Sequence, residues 1–132
     1  MTKVLIDSSS WIHFFKQKKL AQYEAVAKLL SGDLALICGP VLTEVLRGAR
    51  NEKEMKVLKG YFELLEYFPL EKTDHLQAAE LGFDLARKGV VVKTMDLLIA
   101  HLAIREKTLL LHDDEDFEMI ARHSFLKTVR PS

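Results

Sequence analysis

The chain has 132 residues, with 19 Lys and Arg balanced by 19 Asp and Glu and a formal net charge of zero. That length holds one domain, residues 1–132, burying about two-thirds of the surface its unfolded form exposes, and the balanced charge gives no global pull toward nucleic acid or an anionic membrane. One cysteine, Cys38, excludes an internal disulfide, and neither a signal-peptide pattern nor an apolar run of membrane-spanning length occurs, so a soluble cytoplasmic protein is expected.

Val4-Leu5-Ile6 is short and continuously apolar, the pattern of a strand buried on both faces of a parallel sheet, and Asp7 falls at its carboxyl end. Ser8, Ser9 and Ser10 offer helix caps, and Trp11, Ile12, Phe14 and Phe15 supply the apolar side of a short helix. A second helix is predicted over Tyr23 to Leu30, with Val26, Leu29 and Leu30 inward, then a strand at Leu34 to Cys38. Pro40 suits a first helical turn, and this helix continues to about Arg47-Gly48, carrying Glu44. Met55, Leu58, Phe62 and Leu65 mark a further helix from Glu52 to Leu65. Tyr67 to Leu70 reads as a short strand. Asp74 to Arg87 reads as an amphipathic helix with Leu76, Ala79, Phe83 and Ala86 on its apolar side, stopped at Lys88-Gly89.

Another helix is predicted from Thr94 or Met95 to about Arg105, then a strand at Thr108 to Leu111, a short helix at Phe117 to Ala121 and a closing strand at Leu126 to Val129. Strands alternating with helices imply an α/β fold with a parallel sheet of about four to five strands. In such sheets ligands bind beyond the carboxyl ends of the strands. Asp7 and the run Asp113-Asp114-Glu115-Asp116 occupy such ends, and they meet if the first and fourth strands are neighbours.

Two carboxylates about 5 Å apart at an effective dielectric of about 20 repel by roughly 3 kcal/mol. A divalent metal, raised pKa values or separation must relieve that. Taken singly, Asp7 and Asp96 are equally well explained as acids at helix starts, and Glu44 as a solvated helix face, although Val41, Leu42, Val45 and Leu46 leave little room for one. In the acidic run, an extended backbone points Asp114 and Asp116 one way and Asp113 and Glu115 the other, toward solvent. His13, His75, His101 and His123 read as surface or packing residues, and Trp11 and the phenylalanines as core. Arg47, Arg50 and Lys93 lie near the acids in sequence and are candidates to meet phosphates.

In this order and context, the motifs resemble those of the PIN-domain family, and within it the small VapC-like toxins of toxin–antitoxin pairs. Val4-Leu5-Ile6-Asp7-Ser8-Ser9-Ser10-Trp11-Ile12 resembles the family's opening strand, aspartate, serine and aromatic. Leu42-Thr43-Glu44-Val45-Leu46-Arg47-Gly48 resembles the second motif, Asp96-Leu97-Leu98-Ile99-Ala100 with Ala103 the third, and Leu111-His112-Asp113-Asp114-Glu115-Asp116-Phe117 the fourth. The resemblance implies a PIN-like three-layer α/β/α sandwich and a metal-dependent endoribonuclease in which Asp7, Glu44, Asp96 and Asp114 hold Mg²⁺ or Mn²⁺, with Asp116 assisting catalysis. It implies that Ser9 orients the Asp7 region; the chain departs from the family at His112, where many members carry serine or threonine, and His112 is a candidate site-orienting residue. It also implies a homodimer, a cognate antitoxin protein that blocks the pocket, and structured RNA such as tRNA or rRNA as substrate.

Other functions fit less well. A receiver-type phosphorylation switch usually pairs acids after the first strand, where Ser8 follows Asp7, and a haloacid-dehalogenase-like phosphatase needs an aspartate where Ser9 stands. A non-catalytic RNA- or protein-binding module has little physical reason to assemble this many acids.

Overall fold

The computed structural model describes residues 2–132. In chain order its elements are β1 (Val4–Ile6), α1 (Ser8–Lys16), α2 (Leu20–Ser31), β2 (Ala35–Cys38), α3 (Gly39–Leu46), α4 (Glu52–Glu63), β3 (Glu66–Phe68), α5 (Lys72–Arg87), α6 (Thr94–Glu106), β4 (Leu109–Leu111), α7 (Glu115–Arg122) and β5 (Thr128–Val129). The strands form one sheet in the order β3-β2-β1-β4-β5, and every pairing is parallel. Each βαβ crossover lays helices over the sheet, so the central strands must be apolar throughout. Leu5, Ile6, Leu36, Ile37, Leu110 and Leu111 are all fully buried, each contributing about 1.5–3 kcal/mol relative to exposure.

The chain runs outward from β1 through β2 to β3 and then returns to the other side of β1 as β4. The order therefore reverses between β1 and β4, which pair in register with Ile6 opposite Leu111. Both strands end at the same level. Asp7 follows one and His112 to Asp116 follow the other, as the sequence predicts for neighbouring first and fourth strands.

Aromatic packing fixes the helices on one flank. Trp11 is fully buried, stacks on Phe15 and meets Phe14 and Phe62 edge-on, tying α1 to α4; Phe14 stacks on Tyr23 of α2. Phe83 and Phe125 depart from the expected core role, being 61% and 88% exposed.

The inward side of α5 also departs from expectation. Leu76 and Phe83 are exposed, whereas Asp74, Ala78 and Leu85 are buried. The reason is close helix packing: a Cβ added at Gly82 would stand 2.7 Å from Leu97 Cδ1, so α5 turns its smallest side chains toward α6. The helix also starts two residues earlier than predicted, because Glu71 and Asp74 form a reciprocal capping box. Asp74 is thus inside the first turn. It accepts hydrogen bonds from Arg105 Nη1 at 2.6 Å and the Glu71 backbone N–H at 2.8 Å, and its other oxygen lies 2.8 Å from His101 Nε2. No helix among the described residues is long and apolar enough to cross a membrane.

Candidate metal centre

Four elements bring five acids to the carboxyl end of the sheet. Asp7 caps α1, with Oδ2 accepting from the Ser9 backbone N–H at 3.0 Å and from Ser9 Oγ at 2.6 Å. The cap is therefore Asp7 itself, and the serines fall inside the first turn. Glu44, half-buried on α3, accepts from Ser8 Oγ at 2.6 Å, so it is held inward and is not a solvated face. Asp96 lies buried in the first turn of α6. Asp114 caps α7, with Oδ1 accepting from the Asp116 N–H at 2.9 Å. Carboxylate oxygens of Asp96, Asp114 and Asp116 all lie within 4.8 Å of one another.

Asp7 and Glu44 stand outside that tightest trio but act on it electrostatically. The Asp96 carboxyl is pushed up to about 7, first by burial and then by the charges of Asp7, Asp114, Glu44 and Asp116. Burial also raises Asp7, opposed by the Ser9 hydrogen bonds. The N-termini of α1, α6 and α7 all start among these acids, and their partial positive charge offsets part of the repulsion.

The donor set fits a hard divalent cation. It is made of carboxylate oxygens, the ligands Mg²⁺ and Mn²⁺ prefer. Two oxygens, Asp7 Oδ1 and Asp96 Oδ2, are buried without a hydrogen-bond partner. Buried acceptors are ordinarily satisfied, and a bound cation would satisfy these. Cys38, at the N-cap of α3, is fully buried, and burial pushes its thiol up to about 12.

The remaining candidate residues divide. Ser9 links two sides of the site, since its Oγ also accepts the Asp113 backbone N–H at 2.9 Å. His112 is fully buried, and its Nδ1 accepts the Asp114 N–H at 3.1 Å. That bond places the ring proton on Nε2, 2.9 Å from Glu118 Oε1 but poorly aligned for a hydrogen bond. Burial lowers the His112 pKa, which keeps Nδ1 an acceptor. Arg47, Arg50 and Lys93 are exposed. Arg50 pairs with Glu54, and among the described residues none of the three forms an ion pair with the five acids.

Two expectations for the acidic run are corrected. The backbone is extended only to Asp114, and α7 starts at Glu115, so Asp114 and Asp116 converge through a helix cap and not through strand alternation. Asp113 is not solvated: its side chain is 8% exposed and it pairs with His13, Lys19 and Arg130. Glu115 is exposed as expected. Sequence reasoning also missed Gln22, fully buried on α2, and no apolar period marks such a residue in advance.

The PIN-domain family model matches residues 4–123. The VapC ribonuclease Mb1587 of Mycobacterium bovis and the ribonuclease VapC11 of Mycobacterium tuberculosis are each 33% identical over 123 residues, which is 90% of this chain and 92% of theirs. Among solved structures, VapBC2 from Rickettsia felis bound to a promoter DNA fragment superposes with a TM-score of 0.81 at 21% identity, covering 99% of this chain and 100% of that one. DNA-bound VapBC from Salmonella typhimurium gives 0.79 at 22% identity, covering 98% of each chain. The family match spans β1 to β4, all seven helices and all five acids, and the chain belongs to the PIN-domain family, alongside the VapC proteins.

Proposed function

We propose that this protein is a metal-dependent endoribonuclease, the toxin of a toxin–antitoxin pair, hydrolysing phosphodiester bonds in structured RNA such as tRNA or rRNA in the cytoplasm. The observation that carries this reading is the trio of Asp96, Asp114 and Asp116 beside the unpartnered buried oxygens of Asp7 and Asp96. Asp7, Glu44, Asp96 and Asp114 would hold Mg²⁺ or Mn²⁺, with Asp116 assisting. When bound, such an ion supplies hydroxide at neutral pH and neutralises charge on the phosphate.

The chain's own residues prepare that chemistry. Ser9 fixes the rotamer of Asp7, leaving Oδ1 free, and Ser8 fixes Glu44. His112 holds the amide of Asp114 and so the entry into α7. Asp116, in the first turn of α7, lies beside Asp114 where the N-terminal dipole favours negative charge. Without a cation these groups would repel an RNA phosphate, so metal and substrate are expected to bind together. The structural relatives are VapBC assemblies, which supports a cognate antitoxin as partner, and a homodimer accords with the family.

Purified protein is expected to cut a mixed tRNA and rRNA pool with Mg²⁺ or Mn²⁺, and to lose that activity with EDTA or as Asp7→Asn. Cutting that survives both controls would refute the metal reading, and no cutting in any lane despite confirmed metal binding would favour a binding module.

A further inference from the structure

We propose that Asp113 and Arg130 form a clamp that positions Asp7 and Asp114, making the C-terminal tail part of the metal centre's support. This inference rests on the metal-site reading above. Asp113 is an acid within an acidic run, yet it stands outside the carboxylate trio. Its side chain is surrounded by donors instead. Lys19 Nζ donates to Oδ2 at 2.6 Å, His13 Nε2 lies 2.8 Å from the same oxygen, and Arg130 Nε donates to Oδ1 at 3.1 Å. These donors come from α1, from the turn between α1 and α2, and from the tail after β5. Together they hold the Asp113 carboxyl down at about 2, Lys19 having the largest effect.

The clamp reaches the site through two short paths. The Asp113 backbone N–H donates to Ser9 Oγ at 2.9 Å, and Ser9 Oγ donates to Asp7 Oδ2 at 2.6 Å. The next residue in the chain is Asp114. Behind this segment, the buried Gln22 donates from Nε2 to the His112 carbonyl at 2.9 Å and to the Pro131 carbonyl at 3.2 Å, while its Oε1 accepts from Ser10 Oγ. The His112 N–H also donates to Val129 O at 3.2 Å. The start of the acidic run is thus tied to α1, α2 and the tail at once.

Such a tether has a physical purpose. Asp114 must be held against the repulsion of Asp7 and Asp96, and a loop free to relax would move it away until the acids no longer shared a cation. Charged donors on Asp113 oppose that movement without placing a cation's competitor inside the trio. Arg130 touches none of the metal-binding acids; it acts through Asp113 and through Glu115, whose Oε2 accepts from Arg130 Nη1 at 3.0 Å, so it is a positioning residue.

The test compares full-length wild type with Arg130→Gln, Arg130→Lys and the control Lys53→Gln, an exposed cation on α4 away from the acidic run. Amide hydrogen exchange is followed in metal-free protein, and Mn²⁺ uptake by electron paramagnetic resonance. Arg130→Gln is expected to speed exchange at Asp113 to Asp116 while leaving α5 unchanged, and to weaken Mn²⁺ binding by roughly tenfold, the low end for residues supporting metal ligands. Arg130→Lys should restore most of both, and Lys53→Gln should match wild type. Wild-type exchange at Asp113 to Asp116 in Arg130→Gln would overturn the clamp. So would faster exchange there with Mn²⁺ affinity unchanged. If wild type takes up no Mn²⁺, the metal-site reading falls and with it the clamp's role toward metal, whereas intact uptake with unchanged exchange removes the clamp alone.

Discussion

Asp96→Asn is expected to abolish metal-dependent RNA cleavage while leaving the metal-free protein at least as stable as wild type. Asp96 is buried, belongs to the carboxylate trio and carries an oxygen that nothing else satisfies. Removing its charge takes one ligand from the cation and should lower cleavage by about a thousandfold, or about 4 kcal/mol of activation free energy. Stability moves the other way because the same charge is opposed by four neighbouring acids. The Asp96 carboxyl is raised to about 7 in the fold, against about 3.9 when unfolded. For an acid with a raised folded pKa, the stabilising contribution is full below the unfolded value and is lost as pH rises through the folded one. Asparagine imitates the protonated acid at every pH. The stability advantage of Asp96→Asn should therefore grow between about pH 4 and 7, by at most about 1.4 kcal/mol per unit, and level off above. Denaturant titrations of both proteins in EDTA at pH 5 and pH 8 measure this. A variant uniformly less stable, with no widening gap, would show that Asp96 is structural.

The largest loss of stability is expected from Asp74→Ala, far from the chemistry. Asp74 is 3% exposed and joins α5 to α6 through Arg105 and His101. Truncation leaves His101 without its acceptor and Arg105 with only the Pro69 carbonyl and Glu106, a change that costs about 3–5 kcal/mol when a buried pair is broken on one side. For a domain of this size that corresponds to a fall in Tm of roughly 10–20 °C. The backbone N–H of Glu71, with His101 and Arg105, holds the Asp74 carboxyl well below the usual range. With a depressed folded pKa, the stabilisation is present above the ordinary value near 3.9 and is lost as pH falls toward the folded one. The gap between wild type and Asp74→Ala should thus be full at pH 7 and narrow below about pH 3.9. Thermal melts across that range check both the size and the sign. A change below 1 °C at pH 7 would show the network to be energetically idle.

The catalytic end of this fold was legible because its strands are short enough to be unmistakable. Val4-Leu5-Ile6 and Leu109-Leu110-Leu111 have no polar face, which only a doubly covered parallel sheet tolerates, and each is followed almost at once by acids. Neighbouring placement of β1 and β4 then brings those acids together. What periodicity could not reveal was which side of α5 faces inward. Leu76, Ala79, Phe83 and Ala86 carry the more apolar stripe, but Gly82 and Ala78 permit the closer approach to α6, and Asp74 brings partners that make its burial tolerable.

Asp113 was misread for a related reason. Solvation is the ordinary state of one more acid in an acidic run, and the partners that reverse it, His13, Lys19 and Arg130, are 100, 94 and 17 residues away in sequence. Only the closed sheet brings them within reach. The convergence of Asp114 and Asp116 was anticipated on the wrong geometry, an extended strand in place of a helix cap. Residue types at strand ends are thus readable from the chain, whereas partners supplied by distant segments become visible only once the topology is set.

The most direct test of the central claim is an anomalous difference map from crystals soaked in Mn²⁺ at pH 8. A peak bounded by carboxylate oxygens of Asp96, Asp114 and Asp116 and facing Asp7 Oδ1 is expected. A peak elsewhere, or none at saturating Mn²⁺, would contradict the claim.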